Sequence, residues 1–172
     1  MATYKKGFKK QTSEQMLLQV IVGIIVSVIL FVLIAFIYDI STRVPDYSDY
    51  TKITKYEDVF TQKDKDGIPI EQYIVYFYKK DSEDCNKIAK KLLRLANRVT
   101  KNGNVFIVCS TDDITDADTN LDDFLDAIVE TSMNVPLLLT VIDGEPADVY
   151  IGGDSVIDAM ISIQKGTYEP FN

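Results

Sequence analysis

The chain has 172 residues, a net charge of −8, two cysteines and neither histidine nor tryptophan. Without histidine, Ser-His and Cys-His nucleophile pairs are excluded within the chain, and zinc would have to be held by two thiolates and carboxylates. The acidic balance repels phosphate backbones and argues against nucleic acid as a partner, and no metal or cofactor is expected.

In chain order, residues 1–15 form a basic tail, with Lys5, Lys6, Lys9 and Lys10 set against Glu14. Residues 16–39 predict a transmembrane helix. From Val20 to Tyr38 there is no charge, and Ser27 is the most polar side chain. About 20 apolar residues cross the ~30 Å hydrocarbon layer, so the length fits a single pass. A core helix would show a polar face, which this run lacks. The run ends in Phe36-Ile37-Tyr38-Asp39, bulky where a cleaved leader would carry small residues, so an uncleaved signal-anchor is expected. Lysines before the helix and acidic residues after it place the N-terminus in the cytoplasm and the rest of the chain outside the cell membrane.

Residues 40–50 read as a polar linker and 51–172 as one domain. Tyr56, Val59 and Phe60 sit at the spacing of a short helix, and Gln62 to Pro69 is a loop. Tyr73 to Tyr78 (YIVYFY) is a β-prone run without polar alternation, as in a strand buried on both faces. Ser82 is a suitable N-cap, followed by Glu83 and Asp84 in a first turn that favours negative charge. Cys85, Ile88, Leu92, Leu95, Ala96 and Val99 make the apolar stripe of a helix that stops at Asn102-Gly103. Val105 to Cys109 is a second buried strand, so the three elements predict a right-handed βαβ unit with parallel strands.

Asp112 to Asn120 reads as an acidic loop, and Leu121, Phe124, Leu125 and Ile128 as a helix. The spacing of Asp116, Asp118, Asn120 and Asp122 is calcium-like. It lacks the glycine at the sixth position, however, and has Ala127 where the twelfth position needs glutamate, so it reads as a solvated helix start. Val135-Pro136 leads into a strand, Leu137 to Ile142. Asp143-Gly144 then predicts a hairpin to an antiparallel strand ending at Ile151, and Gly152-Gly153 precedes a last helix. No internal repeat is visible.

This order resembles the thioredoxin fold: α/β, a central mixed β-sheet flanked by helices, here preceded by one transmembrane helix. A cysteine at the start of a long helix lies eight residues after Phe77, the spacing of the second cysteine of the family's CxxC motif. Val135-Pro136 before LLLTVIDGE resembles the cis-proline segment, and Gly152 the glycine after the last strand. The segment YFYKKDSEDC is similar to the bacteriocin-accessory branch, which implies a bacterial protein. The resemblance spans roughly residues 50–163, and the stretch from Thr111 to Asn134 is longer than in a minimal thioredoxin.

The departure from the family is in the chemistry. Ser82 stands where the family has its attacking cysteine, and only the resolving position, Cys85, remains, so cycling within the motif is impossible. The resemblance implies a cis Pro136 and an ancestral site made of Ser82, Glu83, Asp84, Val135 and Pro136 that binds an extracytoplasmic protein or peptide. Three readings of the thiols stand open. Cys85 and Cys109 are structural residues; or Cys85 acts as a monothiol, catalytic in a thiol–disulfide oxidoreductase; or the two form a disulfide in an oxidising compartment.

Overall fold

The computed structural model describes residues 13–171; the four lysines of the basic tail lie outside the described residues. The chain divides into two compact units that meet between Arg43 and Val44.

The first unit is a single helix, α1, Ser13–Thr42. Its stretch Ser13–Tyr38 is 26 residues long and apolar enough to cross a membrane. At about 1.5 Å per residue it exceeds the ~30 Å of a hydrocarbon layer. Ser27 Oγ donates to the carbonyl of Gly23 at 2.8 Å, so the most polar side chain of the run is satisfied by its own helix.

The second unit holds five strands: β1 (Thr51–Ile53), β2 (Gln72–Tyr78), β3 (Val105–Ser110), β4 (Leu137–Ile142) and β5 (Glu145–Ile151). The sheet order is β1-β3-β2-β4-β5. β3 runs parallel to β1 and to β2, β4 antiparallel to β2, and β5 antiparallel to β4. Helices α2 (Glu83–Lys101), α3 (Ala117–Ala127) and α4 (Gly153–Lys165) cover the sheet. This mixed sheet with its crossing helices is the thioredoxin-like fold. The helix expected around Tyr56 is a single 3-10 turn, Tyr56–Asp58.

The unbroken apolar run of β2 follows from its central place. Ile74, Tyr76 and Tyr78 point to one face, where α2 and α4 pack with Leu92, Ala96, Val156 and Met160. Tyr73, Val75 and Phe77 point to the other, where Phe124 and Leu125 of α3 pack with Tyr56 and Val59. A strand covered on both faces has no side left for polar residues. The one fully buried polar side chain of β4, Thr140, bonds the Tyr168 hydroxyl at 2.7 Å and so ties the C-terminal segment to the sheet.

Two expectations need correction. The acidic stretch after β3 is not all loop, since α3 begins at Ala117. The Asp116 carboxylate accepts the backbone N–H groups of Tyr56 and Glu57 and the Asn120 amide. Its oxygens are therefore engaged in joining α3 to the turn at Tyr56. Burial raises its pKa, but these hydrogen bonds outweigh it, and the net direction is down. The second correction concerns the cysteines. Both are free, and they lie on opposite faces of the sheet: Cys85 with Tyr76 and Leu92, Cys109 with Phe77 and Phe124. The sheet separates the two thiols, so the Cys85–Cys109 disulfide is not formed.

Candidate functional site

Strand direction decides which loops meet. Because β4 runs against β2, the C-terminal end of β2 lies beside the start of β4, and Phe77 pairs with Leu137. Pro136 immediately precedes Leu137, and the Ser82 turn begins just after Tyr78. β3 is parallel to β2, with Tyr78 opposite Ser110, so the loop after β3 opens at the same end. β5 finishes there too: Ile151 pairs with Leu137, and the Gly152 N–H donates to the Pro136 carbonyl at 2.9 Å. The Val135–Pro136 peptide bond is cis. The residues inferred from the resemblance, Ser82 to Cys85 with Val135 and Pro136, are therefore gathered at one end of the sheet.

The Ser82 turn is fixed from both sides. Ser82 caps α2, its Oγ accepting the Cys85 N–H at 3.3 Å. Before it, the Lys80 N–H donates to Asp112 at 3.0 Å, and Lys80 Nζ pairs with Asp113 at 2.7 Å. Glu83 and Asp84 both engage Lys87 one turn on. These pairs are exposed and each contributes little stability; the two Lys80 contacts are the ones that join the loops after β2 and β3. Exposure separates the site residues. Glu83 and Asp84 face solvent, Ser82 and Val135 are half-buried, and Cys85 is 1% exposed.

Cys85 is covered from a direction that the sequence did not announce. The segment before β1 carries a 3-10 turn, Tyr47–Asp49, held by a capping box between Asp46 and Asp49. Tyr47 stacks on Tyr78, with ring centroids 4.0 Å apart and planes 9° apart. Tyr78 in turn stacks on Tyr76 at 6.0 Å. Tyr47 packs against the cluster that contains Cys85. The Tyr47 and Tyr76 hydroxyls are buried near each other and near the thiol, and neither makes a well-aligned hydrogen bond. Burial is the main cause that pushes the Tyr47 phenol up to about 12, and it raises Tyr76 further. Cys109 lies beneath the other face with its thiol pushed up to about 12, mainly by burial and then by the charges of Asp116 and Asp113. Burial and the neighbouring carboxylates thus both favour the protonated thiol over the nucleophilic thiolate.

Among the described residues no cluster of carboxylates and thiols is arranged to hold a metal ion. What the end of the sheet offers is a rim of backbone around the cis peptide, a helix N-terminus with exposed carboxylates, and a thiol beneath an aromatic cover.

No protein-family model matches the sequence. No curated relative matches it either. Among solved structures the chain is similar to thioredoxin of Plasmodium falciparum, with 17% identity, 67% of this chain and 97% of that one covered, and a TM-score of 0.47. It is also similar to mitochondrial thioredoxin 3 of Saccharomyces cerevisiae in its oxidised form, with 17% identity, 72% and 97% covered, and a TM-score of 0.47. Thioredoxin f2 of Chlamydomonas reinhardtii is a third, with 11% identity, 70% and 98% covered, and a TM-score of 0.47. The strand order and directions of the second unit, independently of these likenesses, make it a thioredoxin-like domain joined to an N-terminal apolar helix.

Proposed function

We propose that the chain is a single-pass membrane protein whose extracytoplasmic thioredoxin-like domain binds a protein or peptide without thiol chemistry. The basic tail stays in the cytoplasm and α1 anchors the chain in the cell membrane. An extended partner lies across the rim formed by Ser82, Glu83 and Asp84 on one side and Val135 and Pro136 on the other. The observation that carries this reading is the state of the sulfur atoms. A dithiol cycle needs two cysteines whose Cα atoms lie within about 7 Å and whose side chains point towards each other, and Cys85 and Cys109 are both buried and on opposite faces of the sheet. Serine at position 82 cannot replace a thiolate as the attacking group. The rim needs no sulfur to align a peptide backbone.

The test uses the full-length chain in sealed vesicles of its own membrane, with a photo-crosslinking residue in place of Ser82 or Val135. The expected adduct needs irradiation and forms equally well in a Cys85→Ser background. An adduct that forms without irradiation and is released by reductant, or one that Cys85→Ser abolishes, would instead assign a monothiol redox protein. Protease added outside cells should digest the domain and spare the tail; the reverse pattern would overturn the orientation.

A further inference from the structure

Charge in the second unit is divided between the two layers that cover the sheet. From Asn86 to Thr111 the sequence carries six cations and no acid, and from Asp112 to Glu130 eight carboxylates and no base. The first stretch contains α2, packed on the face shared with α4, and the second contains α3, packed on the opposite face. On α2, Lys90, Arg94 and Arg98 recur every four residues; on α3, Asp118, Asp122 and Asp126 do the same. Successive charges on either helix are therefore about 6 Å apart along its axis and lie near one side of it. All six residues are exposed, and none makes an ion pair among the described residues. The sheet stands between the two rows, so they cannot neutralise each other within one copy. The basic row borders a groove of about 470 Å³ between α2 and α4, with Leu95 and Ile161 in its lining. Just past the end of α3, Val129 is 90% exposed; among the described residues of the second unit, only Ile68 is another large apolar side chain so exposed.

We propose that the domain associates with further copies of itself, the basic α2 face of one copy docking on the acidic α3 face of the next. Three features select a second copy as the occupant. The first is sign: each face supplies the charge that the other lacks, and complementary potentials fix partner and register. The second is spacing. Rows of equal pitch let α2 and α3 of two copies lie side by side with charge against charge, and a network of such pairs counts for more than an isolated exposed pair. The third is apolar: the Leu95 and Ile161 lining of the groove offers Val129 the shelter from water that it lacks in a single copy. The two faces lie on opposite sides of one sheet, so the contact is heterologous. A copy engaged through α2 still offers its α3, and association runs on past the dimer. The interface lies wholly within the second unit.

The experiment mixes full-length chains of light and heavy nitrogen in a zwitterionic detergent and joins neighbouring amines and carboxylates with a zero-length carbodiimide. Mass spectrometry should find mixed-isotope amides that link Lys90 or Lys91 of one copy to Asp122, Asp123 or Asp126 of another, together with species larger than a dimer. Their yield should fall about fivefold in about 0.5 M salt, where screening sets in within about 4 Å. K90E/R94E/R98E and D118K/D122K/D126K should each lose association alone, by repulsion of like faces, and regain it when mixed in equal amounts, since each then offers what the other lacks. Both variants keep α1, so association that survives either reversal runs through another surface and overturns the proposal. A parent chain that yields no mixed-isotope amide overturns it too, as does a mixture of the two variants, each folded by circular dichroism, that fails to associate. Where a reversed chain does not fold, the neutral K90Q/R94Q/R98Q and D118N/D122N/D126N chains replace it: loss of the amides in both upholds the docking, and retention overturns it. Shielding of Lys90 from acetylation only when phosphatidylglycerol vesicles are added would assign the row to lipid and likewise overturn the proposal.

Discussion

Tyr47 stacks on Tyr78 with ring centroids 4.0 Å apart, and in doing so closes the aromatic cover over Cys85. Tyr78 ends β2, whereas Tyr47 belongs to the short segment that follows the apolar helix α1. That segment packs on the cluster that holds Cys85, and we read Tyr47 as the lid of this thiol. A stacked aromatic pair contributes about 0.5–1.5 kcal/mol beyond the area it buries.

Removal of the lid should therefore expose the thiol. In Tyr47→Ala, Cys85 is expected to react with a soluble disulfide reagent on the order of tenfold faster, which corresponds to about 1.4 kcal/mol of lost closure. Tyr47→Phe keeps the stack and should stay within about twofold of the parent. Cys109, on the other face, should remain unreactive in both variants. Mass-spectrometric counting of labelled cysteines under native conditions separates the two sites. Equal labelling of Cys85 in the parent and in Tyr47→Ala would show that Tyr47 is not its cover.

Alkaline pH should weaken the domain. The phenols of Tyr47, Tyr50, Tyr56 and Tyr73 are all pushed up to about 12, in each case chiefly by burial. In the unfolded chain they ionise near 10. A folded value above the unfolded one means that the folded state holds the proton more tightly. The stability is then fully present below pH ~10 and is lost as pH rises towards 12. Thermal melts should show a steep fall in Tm between pH 10 and 12, shallower in Tyr47→Phe. A flat profile across that interval would contradict the burial of these rings.

The strands were legible because burial on both faces left runs with no polar residue, as in Tyr73 to Tyr78 and Val105 to Cys109. Helix α2 was legible from its stripe and its cap at Ser82. The site was legible only through the order of these elements, since nothing local to Val135 says what lies beside it. Parity along β3 puts Cys109 on the same face as Ile107, yet only the packing of α2 shows that Cys85 lies on the other. Tyr47 was missed because its segment has no apolar period; the one available signal was Asp46 three residues ahead of Asp49, a capping pair read as linker. The start of α3 was legible only in part: Asp116 to Asp122 reads as a helix start, yet the acidic stretch to Asn120 also reads as loop, because its apolar period begins only at Leu121; Asp116 holds the N-cap position but gives its carboxylate to Tyr56 and Glu57.

Gly153 of α4 packs closely on Ile88 of α2. A Cβ added at Gly153 would stand 2.9 Å from Ile88 Cγ2, too near unless the isoleucine moves. Overpacking of this kind costs about 1–3 kcal/mol. Gly153→Ala should lower stability by that amount despite the gain in helix propensity, and Ile88→Ala, which removes Cγ2, should make the same substitution at 153 less costly in the double variant. Chemical denaturation of the four members of the cycle gives the coupling directly. Additive effects would mean that the contact is not what excludes a larger residue at 153.

Val129 is the residue whose conformation and identity disagree most. The end of α3 closes as a Schellman motif: the Glu130 N–H bonds the Leu125 carbonyl at 2.9 Å and the Val129 N–H the Asp126 carbonyl at 3.2 Å. That motif asks for a left-handed residue between them, normally glycine. Here it is Val129, with φ of 59° and 90% of its surface exposed. A β-branched side chain crowds the backbone in this region, at a cost of roughly 1–2 kcal/mol, and an exposed one recovers almost nothing by burial. Val129→Gly should accordingly raise stability by about 0.5–1 kcal/mol, after allowance for the greater freedom of glycine in the unfolded chain. Val129→Asn, which tolerates the same backbone, should fall between the two. Destabilisation by Val129→Gly would show that the valine side chain has a favourable contact that outweighs its strain.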